Sequence, residues 1–256
     1  MRNKQKVHAV VIIMVIAVVS ITVLLGLIQK QQHSDRFSDS SDLKSALSNQ
    51  QPLQGNHAAI SAGKTQSYEV PAEEKKSAKY VSSGEPNKVG EFSISPQGNK
   101  SILTSESKIS DEMKNEQLTY QITKVRVTAN EPKTKEALLM GQQALNTRAI
   151  NGNYTTLFVY YSIKNNSDVA VKTDGVVAAG FEDNTVVSVV GGGLDNDYLL
   201  SQTTISAGAT KKTFIVLLVP EKMALDVRQV VLQFDGAYDE TGKMIIGPSK
   251  KMVVKF

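Results

Sequence analysis

Hydrophobic positions fall into three textures along this chain. Ala9 to Ile28 (AVVIIMVIAVVSITVLLGLI) is an uncharged apolar run of 20 residues. As a helix rising 1.5 Å per residue it would cover roughly 30 Å, the thickness of a bilayer's hydrocarbon core. Ser20 and Thr22 can bond to the helix's own carbonyls and do not spoil the pattern. The run is longer than a signal-peptide core and leads into Gly26-Leu27-Ile28-Gln29-Lys30, which offers no small-x-small cleavage site. It is therefore read as an uncleaved signal anchor.

The texture then turns polar. Of the 72 residues from Gln29 to Lys100, 13 are Ser and only ten are Val, Ile, Leu or Phe. That share, about 14%, is below what a packed core usually needs, so residues 29–105 are expected to be a disordered linker. Its end-to-end distance would be roughly 45–50 Å. Within it, Asp42 to Leu47 suggests a transient helical turn, and Glu91 to Ile94 either a stray strand or the first edge of the following domain.

From 106 to 256 the chain alternates and becomes β-branched. Leu118, Tyr120 and Ile122 share one parity, whereas Val125 and Val127 resume on the other, which predicts a β-bulge near Thr123-Lys124. Tyr154 to Lys164 carries Leu157, Val159, Tyr161 and Ile163 on one face, and stops at the turn cluster Asn165-Asn166-Ser167-Asp168. Further strands are expected over Gly175 to Phe181, Thr185 to Val190, Lys211 to Val219, Val227 to Phe234 and Lys251 to Phe256. Lys135 to Arg148 favours a helical or loop insertion, although Gly141 interrupts it. Short strands separated by turn chemistry predict an all-β fold, an antiparallel β-sandwich head.

Charge fixes an orientation. Arg2, Lys4 and Lys6 give residues 1–8 a charge of +3, Gln29 to Lys100 carries +1, and Ser101 to Phe256 is neutral, with 17 basic and 17 acidic residues. The basic flank predicts a cytoplasmic tail at 1–8, a single-pass transmembrane helix at 9–28 and an extracellular head. A neutral head also speaks against nucleic-acid binding, which needs Lys and Arg on the folded surface.

The segments Leu118 to Val127, Phe158 to Asp168, and Thr204 to Gly208 leading into Phe214 to Pro220 together resemble a family of bacterial extracellular immunoglobulin-like domains of unknown function. Its fold is related to a secreted mycobacterial antigen. The resemblance covers about residues 116–256 and rests on strand and turn patterns. It implies a cell-membrane protein of Gram-positive type, tethered by its helix since no lipid-anchor Cys is present.

The candidate chemistry is sparse. His8, His33 and His57 all precede the head, and the chain has neither Cys nor Trp. Ser-His-Asp triads, thiol catalysis and His- or Cys-ligated metals in the head are thereby excluded. Gly191-Gly192-Gly193 follows a strand but is not followed by a helix, so it is weak as a phosphate loop. Asp195-Asn196-Asp197 is the densest set of oxygen ligands and a weak Ca²⁺ candidate, with Asp174 and Asp183 able to join only if the loops converge. A glycine-rich turn is the preferred explanation, and no cofactor is expected. Phe158, Tyr160 and Tyr198 are a candidate interaction surface, core packing being the competing account for the first two. The expected function is a non-catalytic, membrane-anchored binding or assembly module facing an envelope protein or cell-wall ligand. An accessory subunit of an envelope-spanning machine is the alternative, and a carboxylate-dependent wall hydrolase is less favoured.

Overall fold

A computed structural model describes residues 67–256. The segments expected to be a cytoplasmic tail (1–8) and a transmembrane helix (9–28), and the expected linker up to residue 66 with its helical turn at Asp42 to Leu47, lie outside the described residues. Among those described, no helix is long and apolar enough to cross a membrane.

Two antiparallel sheets form a sandwich. The larger has six strands: β1 (Phe92–Ile94), β2 (Asn99–Asn115), β3 (Leu118–Pro132), β4 (Tyr154–Asn165), β7 (Leu194–Asn196) and β8 (Thr210–Val219), in the spatial order β1-β2-β3-β4-β8-β7. The smaller has β5 (Val176–Gly180), β6 (Val186–Ser188), β9 (Gln229–Phe234) and β12 (Met252–Lys255), ordered β12-β9-β5-β6. A two-stranded ribbon, β10 (Ala237–Tyr238) with β11 (Met244–Ile246), completes the set. Three α-helical stretches are described: α1 (Ala72–Lys75), α2 (Lys135–Ala144) and α3 (Tyr198–Ser201).

The core lies between the sheets. Leu157, Val159, Tyr161 and Ile163 of β4 face inward with Leu118, Tyr120 and Ile122 of β3, and meet Val230, Leu232 and Phe234 of β9. The rings of Tyr120 and Phe234 stack at 4.1 Å, while Tyr161 meets Phe234 edge-on at 5.6 Å. Burial drives both phenol pKa values well above the ordinary range, so neither ionises in the folded protein.

The predicted bulge is present. Ile122 pairs with Tyr161 and Lys124 with Tyr160, leaving Thr123 as the extra residue. Because side chains alternate, the inserted residue moves the inward set from Ile122 to Val125 and Val127, and turns Lys124 and Arg126 outward. A second irregularity lies in β2, where Leu103 pairs with Thr128 and Ser105 with Val127, leaving Thr104 unmatched. Its hydroxyl donates to the Val127 carbonyl at 3.0 Å. Leu103 and Glu106, three residues apart, thereby share the outer face.

One expected boundary moves. Residues 67–105, assigned to the linker by composition, carry α1, β1 and the first part of β2. These residues need no core of their own, because β3 supplies a ready hydrogen-bonding edge. Asn99 to Leu103 pair with Pro132 to Thr128, and β1 adds to β2 in turn. Phe92 and Leu103 are buried, so a few apolar side chains suffice on a template already formed. Of the two readings of Glu91 to Ile94, the structure takes the sheet's first edge.

The insertion after β3 is helical over Lys135–Ala144. Thr134 caps it, its hydroxyl accepting from the Ala137 N–H at 3.0 Å. Gly141 is there for space: a Cβ at this position would lie 2.6 Å from the Tyr154 hydroxyl.

The end of β4 is fixed by a single amide. Asn165 is fully buried, and its Nδ2 donates to the carbonyls of Val169 at 2.8 Å and Ile205 at 3.0 Å. Its Oδ1 accepts from the Ser167 N–H at 3.0 Å and hydroxyl at 2.6 Å. Asn165→Ala strands these partners in the interior and should cost about 2–3 kcal/mol. Chemical denaturation of the two proteins checks this; a loss under 0.5 kcal/mol would show that the clamp is dispensable.

Candidate functional site

The outer face of the six-stranded sheet holds a cleft of about 170 Å³, lined by Glu85, Pro86, Ser93, Ser101, Leu103, Arg126, Thr128, Phe158 and Tyr160. Its floor comes from outward positions of β2, β3 and β4, set in line by the two bulges. In this register Arg126 pairs with Phe158 and Lys124 with Tyr160 on one side, and Arg126 with Glu106 on the other. Its rim is the segment preceding β1. That segment is tied to the sheet by the Gly90 N–H donating to the Leu103 carbonyl at 2.7 Å and the Val81 N–H to the Phe92 carbonyl at 2.8 Å. A Lys100–Glu74 ion pair at 3.0 Å adds to these ties.

Arg126 is the site's charged centre and is only 6% exposed. Its Nη1 lies 2.7 Å from Glu85 Oε2, and its Nη2 donates to the Pro86 carbonyl. Its Nε is 3.2 Å from Glu106 Oε2, an ion-pair distance without hydrogen-bond alignment, so that N–H has no hydrogen-bond acceptor. Burial by itself disfavours the cation. The neighbouring Tyr160 hydroxyl and then the charge of Glu85 outweigh it, and the guanidinium pKa lies above its ordinary value. Arg126 is therefore charged at any physiological pH.

The cleft's walls are aromatic. Phe158 and Tyr160 stack with centroids 6.5 Å apart, and Phe214, 41% exposed on β8, approaches Tyr160 at 5.9 Å. Lys124 Nζ sits 4.3 Å from the centre of the Tyr160 ring, a cation–π geometry. A polar ladder closes one end: Asn99 Nδ2 and the Ser101 hydroxyl both donate to Asn130 Oδ1 at 3.0 Å, and Asn130 Nδ2 donates to the Thr156 hydroxyl at 2.9 Å.

Of the three residues proposed as an interaction surface, the structure brings Phe158 and Tyr160 together in this cleft. Tyr198 stands apart on α3, 75% exposed, and does not line it. Arg126, Glu85, Glu106 and Leu103 were not anticipated. The parity change at Thr123 carries the signal for Arg126, because it assigns that residue to the face of Phe158. Glu85 had no signal, its position being set by tertiary contact alone.

The acidic triplet is not a single loop. Asp195 and Asn196 belong to β7 and point to opposite faces: Asp195 pairs with Val216, whereas Asn196 Nδ2 donates to the carbonyls of Asp174 and Val176, the latter at 2.9 Å. Asp197 caps α3, accepting from the Leu199 N–H at 3.0 Å and from the Thr213 hydroxyl at 2.7 Å. Asp183 closes a local turn on Thr185 at 2.9 Å. Burial and then the charge of Asp197 raise the Asp195 pKa. The glycines before the triplet serve packing: a Cβ on Gly192 would lie 2.3 Å from the Asn146 carbonyl oxygen, and Gly193 N–H donates to Leu145 at 2.6 Å. A strand beginning at Leu194 replaces the glycine-rich turn expected for the triplet itself.

No family model matches the chain, and no curated protein does. Among solved structures, it is similar to a functionally unknown protein from Listeria monocytogenes EGD-e, at 18% identity and a TM-score of 0.41, over 61% of this chain and 86% of that one. An uncharacterised β-sandwich protein from Clostridium difficile 630 aligns at 16% identity and a TM-score of 0.30, over 57% of this chain and 99% of that one. A conserved hypothetical protein from Bacillus anthracis aligns at 10% identity and a TM-score of 0.32, over 59% and 96%.

With Asn196 and Asp197 committed to separate partners and Asp195 on the opposite face of β7 from Asn196, millimolar Ca²⁺ should leave the melting temperature unchanged, and Asp195→Ala should shift stability by no more than about 0.5 kcal/mol. A Ca²⁺-dependent rise in melting temperature that Asp195→Ala abolishes would overturn this assignment.

Proposed function

We propose that this protein is a surface-anchored, non-catalytic binding module. An immunoglobulin-like head presents the outer face of its larger sheet to an envelope protein or cell-wall ligand. The strand orders support the immunoglobulin-like reading. The succession β3-β4-β8-β7 corresponds to A-B-E-D, and β12-β9-β5 to G-F-C, with β6 added beyond C and the β1–β2 extension beyond A. The apolar run at 9–28 and its basic flank support the single-pass anchor, with the head on the extracellular side.

The observation that carries the proposal is the cleft at Arg126, Phe158 and Tyr160. Aromatic residues and Arg are enriched where interfaces concentrate binding energy, and here they form one pocket on an otherwise mixed polar face. A guanidinium beside two aromatic rings is chemistry suited to recognition.

A photo-reactive phenylalanine analogue at position 158 of the full chain, irradiated in intact cells, tests this. An adduct with an envelope component is expected from position 158, and none from position 253, which is exposed on β12 of the other sheet. Equal capture at both positions, or capture of cytoplasmic proteins from position 158, would contradict the proposal.

A further inference from the structure

Glu85 is the tip of a loop with little else to hold it. Ser82, Ser83 and Gly84 before it are exposed, and Gly84 adopts a positive φ of 85° with nothing within 4 Å of where a Cβ would be. The Glu85 side chain is 72% exposed, yet its carboxylate is placed on Arg126 Nη1 at 2.7 Å. The loop's other limb is pinned independently: the N–H groups of Asn87 and Lys88 both donate to Glu91 Oε2, at 2.8 and 3.0 Å. Those bonds, Asn87's first and Lys88's second, hold the Glu91 pKa below its ordinary value. Pro86 is buried at the junction, so the loop can release Glu85 while Pro86 and the limb beyond it stay in place.

Two carboxylates, Glu85 and Glu106, lie within ion-pair distance of the one buried guanidinium. Arg126 and Lys124 supply two cations, and Glu106 and Glu85 two anions. When Glu85 leaves, the buried guanidinium keeps only the unaligned carboxylate of Glu106 at 3.2 Å, and its Nη1 loses the acceptor it had at 2.7 Å. The arrangement is that of a receptor holding its own stand-in: a planar donor fork suited to a carboxylate, flanked by Phe158 and Tyr160. A space of about 170 Å³ is of the size that takes one benzene-like ring.

We propose that the Arg126 cleft is a receptor for a carboxylate borne on a ring-sized group, and that Glu85 is a built-in carboxylate that fills the Arg126 fork until this ligand displaces it. The inference rests on the binding-module reading and names the chemistry of its ligand. Exchange of one carboxylate for another leaves the cleft's charge unchanged. The tethered one competes at an effective concentration of order millimolar, as a short flexible linker provides. The incoming carboxylate takes the place of Glu85 on Nη1, while Nη2 stays with the Pro86 carbonyl and Nε beside Glu106.

The test is isothermal titration of the full chain, purified in detergent, with hippurate, its neutral amide and glucuronate. The two acids separate the sources of such a group, a peptide-like carboxylate from a sugar acid. If Glu85 occupies the fork about nine-tenths of the time, Glu85→Gln should bind the preferred acid about tenfold more tightly than the unaltered chain. The amide should bind neither protein. Phe158→Ala should weaken the acid in the Glu85→Gln background, and Arg126→Gln should abolish it. Should Arg126→Gln fail to fold, the acid–amide contrast in Glu85→Gln still decides the matter. Equal affinity of Glu85→Gln and the unaltered chain for both acids, or undetectable binding of both, would overturn the proposal. Envelope capture from position 158 would in that case still support the module reading with another ligand chemistry. Tight acid binding without any capture would spare the receptor and remove the envelope partner.

Discussion

The register of β3 against β4 is the constraint on which both core and cleft depend. β4 keeps one parity throughout, with Leu157, Val159, Tyr161 and Ile163 inward and Phe158 and Tyr160 outward. Without the extra residue at Thr123, β3 could match β4 at one end only. Continued from Tyr120 and Ile122, its alternation would drive Lys124 and Arg126 into the sandwich and expose Val125 and Val127. A buried unpaired cation costs several kcal/mol, so this alternative register is closed. The bulge resolves the conflict, and the Thr123 hydroxyl donates to the Tyr160 carbonyl at 3.2 Å across the irregular pair.

The same constraint makes the outer face unusually exacting for a surface. The Thr104 bulge in β2 keeps Leu103 and Glu106 on the side of Arg126, so the cleft's floor is drawn from three strands whose phases have been adjusted to agree. Its roof comes from outside the sheet. The segment before β1 crosses over Leu103, buries Pro86 and delivers Glu85, turning a strand surface into a pocket. Core and cleft are thus opposite faces of β3 and β4, and a change of register in either strand would disturb both at once.

Much of the strand framework was legible, because burial on one face writes itself as alternation. β3, β4, β8 and β9 lie where buried apolar residues recur every second position, β5 and β12 where short apolar runs stand between turn residues, and the phase break at Thr123 could be read directly from Ile122 and Val125. β2 escaped detection. Its 17 residues are mostly polar because one side meets solvent and the other is only partly covered, so pairing to β3 holds it in the absence of a hydrophobic stripe. β7, β10 and β11 are two or three residues long and carry no period at all. Half of the candidate site was foreseen through its aromatic residues, Phe158 and Tyr160. The charged half was hidden, since Glu85 reaches Arg126 across 41 positions and nothing local marks either residue as a partner.

Because the chain has no cysteine, single substitutions can report the phase of β3 position by position. Thiol labelling of cysteines placed at 120, 121, 122, 123, 124, 125 and 127 is the most direct measurement of the register. Protection is predicted at 120, 122, 125 and 127, with labelling at 121 and at the consecutive pair 123 and 124. Unbroken alternation through 123, with 124 protected and both 125 and 127 labelled, would contradict the register and leave the cleft without its floor.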